Sequence, residues 1–343
     1  QLSALLLHDS PRRSTLHDPA RRCLYPAADC ALHLPTAIAN FTDCMASLHH
    51  VDRAGRQFRP DSPVYPNFRH VPVAYHSRAS SVRPSGTEVV RPCGQLPPKD
   101  GIPRFAASAQ LDFETEVALW IAGDNALGER VPIGMAEQRI AGIGLLNDWS
   151  ARDIQYWESL PLGPFLGKSF LTSVSPWIVT LEALAPFRAP LNARPAGDPM
   201  PLPYLHDAHD QAAGGIRVTV ETMLRTPRMA ATGAAPVRVS AASLLDMYWT
   251  PAQLVAHHTS NGCNLEDGDL VGTGTVSGPL EAEAGCLLEL TRRGSQPLHL
   301  PNGEIRAWLE DGDEIILAGR CERDGHATIG LGECRGVIRP ARP

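Results

Sequence analysis

A third of the way along the chain, the segment Leu111-Asp-Phe-Glu-Thr-Glu-Val-Ala-Leu-Trp-Ile121 constrains the fold more than any other feature. Leu111, Phe113, Val117, Leu119 and Ile121 recur with period two, which predicts a strand, because successive side chains of a strand point to opposite faces. Asp112, Glu114 and Glu116 then share the other face with Trp120. Paired glutamates on a strand face are ordinarily a solvated edge. The tryptophan beside them predicts a partly buried face, where uncompensated carboxylates are costly and bind a cation or take up protons. An oxygen-only donor set suits a hard ion such as Ca2+ or Mg2+. Asp148, where the apolar run Gly142 to Leu146 ends, is placed to supply a third carboxylate.

The rest of the chain points the same way. Its 29 glycines and 31 prolines make up about 17% of 343 residues, against a usual ~12%, so turns are frequent and strands are favoured over a helix bundle. Residues 1–33 carry a loosely helical mixture of Leu, Arg and His without strong caps. From Leu34 to Pro103 ten prolines predict mostly loop with short strands, and His50 falls in a proline-flanked loop seven residues after Asp43. Met135 to Ile140 reads as a short helix and Gly142 to Leu146 as a buried strand. Ser150 to Trp157 reads as a turn or two of helix with Arg152 and Gln155 on one face.

Leu160 to Phe170 is a Pro/Gly loop leading to a strand at Trp177 to Leu181, and Pro186 to Gly215 a surface excursion. Strand patterns resume at Ile216 to Met223, and a helix is expected at Pro251 to Thr259. Asp-Gly turns at Asp267, Asp311 and Asp324 punctuate strands at Leu270 to Thr273, Cys286 to Leu290 and Glu314 to Leu317. Strands outnumber helices and do not alternate with long ones, which disfavours a doubly wound α/β sheet. The expected class is mainly β with a few helices, α+β.

With 31 basic against 37 acidic residues, a net charge of −6 and no basic run, nucleic-acid binding is not expected. No apolar stretch approaches the ~20 residues of a membrane span. Eight scattered cysteines without a C-x-x-C pair are expected to be reduced thiols of a cytoplasmic protein. The 13 histidines show no zinc spacing, and the adjacent pairs His49-His50 and His257-His258 point different ways in any regular element. No G-x-S-x-G elbow or phosphate loop occurs, and Gly272-Thr-Gly-Thr-Val-Ser-Gly278 reads as a tight strand connection.

Four longer motifs, Asn147-Asp-Trp-Ser-Ala-Arg-Asp-Ile-Gln155, Pro161-Leu-Gly-Pro-Phe-Leu-Gly-Lys-Ser-Phe170, Tyr75-His-Ser-Arg-Ala-Ser-Ser81 and Asn261-Gly-Cys-Asn264, closely resemble the fumarylacetoacetase family. The likeness runs from about Leu32 to the C-terminus. It implies a mixed β-roll catalytic domain over residues 34–343, a homodimer, and a small diketo-acid substrate. Residues 1–33 would be a remnant of, or linker from, a mostly absent N-terminal small β-barrel domain. The resemblance further implies Ca2+ and/or Mg2+ held by Asp43, Glu114, Glu116 and Asp148, with Lys168 and Thr172 at a second, Mg2+-type position around Asp148. His50 matches the general base and Glu289 its orienting carboxylate. Arg152, Gln155 and Lys168 match the charge-stabilising groups, and Arg59, Tyr75, Gln155 and Thr275 match substrate contacts.

The implied reaction is metal-dependent hydrolysis of the carbon–carbon bond of 4-fumarylacetoacetate to fumarate and acetoacetate, the last step of tyrosine and phenylalanine breakdown. Four positions depart from the family pattern. Met45 and Ser159 stand where substrate-binding tyrosines are expected, Leu48 where Arg is usual, and Leu171 where Gly is usual. Met45 and Ser159 favour, as the alternative, a relative acting on another acylpyruvate or β-diketone; a non-catalytic binding protein of the same fold is a further reading, against which the intact set Asp43, His50, Glu114, Glu116, Asp148, Lys168 and Glu289 argues.

Overall fold

The alternating segment is extended, as its period requires, but Phe113 and Glu114 break it into a short strand, Leu111–Asp112, and a longer one, Thr115–Ile121. In chain order the principal strands are β1 (Phe41–Cys44), β2 (Ala74–Ser77), β3 (Val82–Pro84), β4 (Val89–Val90), β5 (Thr115–Ile121), β6 (Ile140–Asp148) and β7 (Thr172–Val174). They continue with β8 (Val179–Thr180), β9 (Thr219–Arg225), β10 (Val237–Ser243), β11 (Leu270–Gly272), β12 (Glu314–Cys321) and β13 (Ile329–Arg339). Helices that bear on the site are α1 (Leu48–Phe58), α2 (Arg152–Glu158), α3 (Leu166–Ser169), α4 (Pro251–His258) and α5 (Leu287–Leu290). The structure, a computed structural model, describes residues 21–26 and 29–342, so most of the 1–33 segment lies outside the described residues. All these elements belong to the unit that begins at Leu34.

One sheet has the order β2-β1-β11-β5-β6-β7-β3, with β8 added on β6. β1 with β11 and β7 with β3 pair parallel and the other neighbours antiparallel, so the sheet is mixed. A second sheet, β10-β9-β12-β13-β4, packs on one of its faces. There Val117, Leu119, Ile143 and Leu145 meet Val220, Ile315, Leu317 and Leu331 in one core. On the opposite face Phe41, Ala118, Trp120, Leu146, Val174 and Leu270 form a second, smaller core. This is the α+β architecture the sequence predicts, a mixed curled sheet with few helices.

Several local expectations need correction. The stretch read as loop around His50 is the three-turn helix α1, opened by Ser47, whose Oγ accepts from the His50 amide. Cys286 to Leu290, read as a strand, forms the helical turn α5, because Asp112 accepts hydrogen bonds from the Leu287 and Leu288 amides at 2.7 and 2.9 Å and caps it. The Pro/Gly loop contains the turn α3 and is followed by β7, which the sequence reading missed. The surface excursion carries a helix at Ala208–Ala213, capped by Asp207. The Asp-Gly turns stand as expected, with φ of 90° at both Gly268 and Gly312, a backbone conformation only glycine adopts without strain.

Candidate active site

Strand parity assembles the centre. Within each strand, side chains two apart share a face, and on that second-core face each apolar residue is followed by a polar one at the same end of the sheet. Phe41 precedes Asp43 on β1, Leu146 precedes Asp148 on β6, Thr172 neighbours Val174 on β7, and Glu116 neighbours Ala118 on β5. Where the apolar cover runs out, Asp43, Glu114, Glu116 and Asp148 each offer an oxygen within 4.8 Å of the others, and all four are buried. Gly272 on β11 makes the space: a Cβ there would lie 2.5 Å from Asp43 Oδ1 and 3.0 Å from Glu116 Oε2.

The surrounding groups only partly compensate four buried carboxylates. Arg152 Nη1 donates to Glu114 Oε1 at 2.7 Å, Lys168 Nζ donates to Glu114 Oε2 and, at 2.8 Å, to Asp148 Oδ2, and Thr172 Oγ1 donates to Asp148 Oδ1 at 2.7 Å. The Tyr75 hydroxyl sits 2.9 Å from Asp43 Oδ2 and 3.0 Å from Asp148 Oδ2. Gly274 N donates to Glu116 Oε2 at 3.1 Å. Asp43 Oδ1 and Glu116 Oε1 are buried with no partner at all. Burial together with the neighbouring carboxylates pushes the Asp43 and Glu116 carboxyls well above the usual range. Burial would raise Glu114 too, but Lys168 and Arg152 hold it well below that range.

Two cationic side chains against four carboxylates leave an excess of about two negative charges, the charge of one divalent cation, and the orphaned oxygens are hard donors. The residues present therefore fit a metal ion, with Asp43, Glu114, Glu116 and Asp148 as its ligands. A stability prediction follows for the metal-free protein. Asp43 and Glu116 bind protons more tightly when folded, so stability should fall as pH rises from the ordinary carboxylate range toward their raised values; Glu114 contributes the opposite slope only at lower pH. As pH rises above the ordinary carboxylate range, Tm by calorimetry in chelator should fall relative to Tm in saturating Mg2+ or Ca2+, a comparison that cancels the opposite slope from His49, His257 and His258, whose charged forms burial disfavours. A difference between the two that does not widen with pH would overturn the assignment.

Beside this cluster, His50 Nδ1 lies 2.7 Å from Glu289 Oε1. With Glu289 ionised, Nδ1 carries the proton and Nε2 is left as an acceptor. Burial opposes ionisation of Glu289, but His50, the Ser277 hydroxyl at 2.8 Å and Arg53 bring its carboxyl below the usual range. Asp112 is not a member of the carboxylate cluster: besides capping α5 it accepts from Arg152 Nε at 2.9 Å, tying α2 to the Glu289 turn. Gln155 Oε1 accepts from Arg152 Nη1 at 3.1 Å. Among the described residues, the buried groups without a hydrogen-bond partner include Arg152 Nη2 and Thr275 Oγ1.

The remaining expected substrate contacts have these partners. Arg59 stays with its own loop, donating to Pro63 O at 2.9 Å and stacking 3.8 Å above the Tyr65 ring. Met45 packs against the main core, and Ser159 Oγ donates to Gln155 O at 2.5 Å. Tyr75 is engaged by the carboxylates themselves. Sequence reading missed Ser277 and Arg53, which hold Glu289, and took Gly272 to Gly278 for a plain connection, although that segment is buried and lines the cluster. Its signal was the density of small and hydroxyl residues after β11.

Residues 40–339 match the family described as fumarylacetoacetate (FAA) hydrolase, C-terminal. The chain is 45% identical to the fumarylacetoacetase of Homo sapiens over 325 residues, covering 94% of this chain and 75% of that protein. It is 46% identical to the fumarylacetoacetase of Caenorhabditis elegans over 323 residues, covering 93% and 74%. Among solved structures, a fumarylacetoacetate hydrolase from Exiguobacterium antarcticum shares the fold at a TM-score of 0.51 and 18% identity, over 90% of this chain and 78% of that one.

Proposed function

Because this chain belongs to the fumarylacetoacetate hydrolase family, we propose that it hydrolyses 4-fumarylacetoacetate to fumarate and acetoacetate. The observation that carries the reading is the juxtaposition of a buried four-carboxylate cluster with a His–Glu pair. In the proposed mechanism His50, oriented by Glu289, takes a proton from water, and the hydroxide adds to the ketone carbon that joins the fumaryl and acetoacetyl parts. Arg152 and Lys168, with Gln155, face the resulting oxyanion as preorganised donors, and Thr275 offers its free hydroxyl to substrate oxygen. Collapse of the adduct breaks the carbon–carbon bond. Its electron pair leaves on the acetoacetyl carbon, which takes back the proton held by His50. A bound divalent ion supplies Lewis-acid stabilisation of the diketone's developing negative charge. Oxygen-only ligands favour Mg2+ or Ca2+ in that role, with Lys168 and Thr172 supporting Asp148.

Met45 and Ser159 give a second reading its footing. One is packed into the core and the other spends its hydroxyl on Gln155, so neither offers a hydrogen bond to a substrate carboxylate; this favours another acylpyruvate or β-diketone. Turnover of fumarylacetoacetate beside simple acylpyruvates, with and without chelator, tests both. Faster cleavage of the simple acylpyruvates selects the second reading, and no turnover of either sinks both. If fumarylacetoacetate is the substrate, Met45→Tyr and Ser159→Tyr should each lower KM by about tenfold or more, since a hydrogen bond to a charged group contributes ~1.5–3 kcal/mol. Unchanged KM would show that the carboxylate is recognised elsewhere.

We also propose a cytoplasmic homodimer. Supporting the compartment, Cys44, Cys93, Cys263, Cys286, Cys321 and Cys334 all lack disulfides, and no helix among the described residues is long and apolar enough to cross a membrane. Supporting self-association, Leu160, Leu162 and Phe165 between α2 and α3 are exposed, and association with a second copy is what sedimentation would detect.

A further inference from the structure

Glu289 has two oxygens, and only one of them serves His50. The second, Oε2, accepts from Arg53 Nη1 at 3.2 Å. Arg53 lies on α1 three residues after His50, so the base and the guanidinium share one helix face. Its other arm, Nη2, donates to Gly278 O at 2.7 Å and Leu280 O at 2.8 Å. One planar group thus joins three segments: the helix of the base, the turn of its partner carboxylate, and the loop that follows Ser277. That loop is itself part of the arrangement, since Ser277 Oγ donates to Glu289 Oε1 and Ser277 O accepts from Ser47 Oγ, the cap of α1.

We infer that Arg53 is a positioning residue for the base: it pins the second oxygen of Glu289, sets the negative charge that this carboxylate presents to His50, and fastens the Gly278–Leu280 backbone to α1. A guanidinium does this where a lysine cannot, because its fixed fork reaches a carboxylate and two carbonyls at once. The inference rests on the hydrolase reading, in which His50 must be neutral to accept a proton.

The electrostatic consequence has a definite sign. Facing His50 are Glu289 and the Cys286 thiol from α5, Glu114 from the segment before β5, and Arg53 from its own helix. Arg53 opposes a positive charge on His50 by sharing Glu289. Removing its charge leaves the Glu289 carboxylate to act on His50 unshared, which favours the imidazolium. The base is then lost at a higher pH.

The test is the pH profile of kcat/KM with fumarylacetoacetate in saturating Mg2+. Arg53→Gln should move the acid limb up by about one pH unit and lower kcat at the optimum by about tenfold or more, with KM within about threefold of wild type. Arg53→Lys, which keeps the charge but not the fork, should leave the acid limb in place and still lower kcat. An Arg53→Gln enzyme whose limb does not move overturns the inference, even if its activity falls, because a structural role alone predicts lost activity with an unshifted profile. If Arg53→Gln does not fold, an Arg53→Lys enzyme with wild-type kcat overturns it instead. Absence of turnover by the wild-type protein would defeat the hydrolase reading and is thereby distinguished from failure of this inference.

Discussion

An Asp148→Ala variant is expected to lose metal-dependent turnover by about 10³-fold or more and to bind Mg2+ or Ca2+ far more weakly, as titration calorimetry would show. Asp148 ends β6 on the face shared with Leu146 and meets Lys168, Thr172 and Tyr75 at once. Its loss removes one ligand and also releases Lys168, a buried cation whose ammonium Asp148 and Glu114 stabilise against burial. A buried charge stripped of a partner is strongly destabilising, so the alanine variant should also lose thermal stability. Asp148→Asn separates the effects: it keeps the shape and the Thr172 contact but lowers the ligand charge. Wild-type ion affinity in both variants would show that the four carboxylates are not the metal centre.

His50→Ala is expected to lower kcat by about 10² to 10⁴ while leaving ion affinity and KM nearly unchanged, because loss of a general base acts on the transition state. The geometry supports this separation. His50 is bonded to Glu289 on α5, and none of its hydrogen bonds goes to Asp43, Glu116 or Asp148. Glu289→Gln should give a smaller loss, since the amide can still hold the ring but does not stabilise the imidazolium as a carboxylate does. Undiminished turnover by His50→Ala would end the proposed mechanism.

Much of this arrangement was legible in the chain, for definite reasons. The period-two run reveals the strand Thr115–Ile121 and the face of Glu116, because parity survives in any sheet that keeps its pleat, whereas Glu114 lies in the break before that strand. Trp120 correctly marks that face as buried, since it sits in the second core two steps along from Glu116, beyond Ala118. Asp148 is visible as the end of a buried strand. What parity cannot show is which strands become neighbours, and the site depends on that: Asp43 reaches Glu116 only because β1 and β5 both flank β11.

Other features were hidden because tertiary contacts override local signals. The turn α5 has the alternating look of a strand, and only capping by Asp112, far away in sequence, makes it helical. Helix α1 is announced by little besides Ser47 in a proline-rich region. Arg53 carries no sequence signal, since an arginine on a helix is ordinarily solvated; its role is decided by a carboxylate 236 residues away. The carboxylate cluster and the pairing of His50 with Glu289 were approached through family resemblance, and the structure supplies their distances.

The pairing of β1 with β11 also governs how such a chain comes into being. Phe41 lies opposite Leu270, and the adjoining Asn40–Asp269 hydrogen bond spans 229 residues. At ~5–20 residues per second, Asp43 leaves the ribosome roughly 10 to 45 seconds before the strand that seats it. The hairpin of β5 and β6 can form early from neighbouring sequence, carrying Glu116 and Asp148 with it, whereas Asp43 and Glu289 must wait for distant closure. A nascent chain therefore passes a long interval before the four carboxylates can come together.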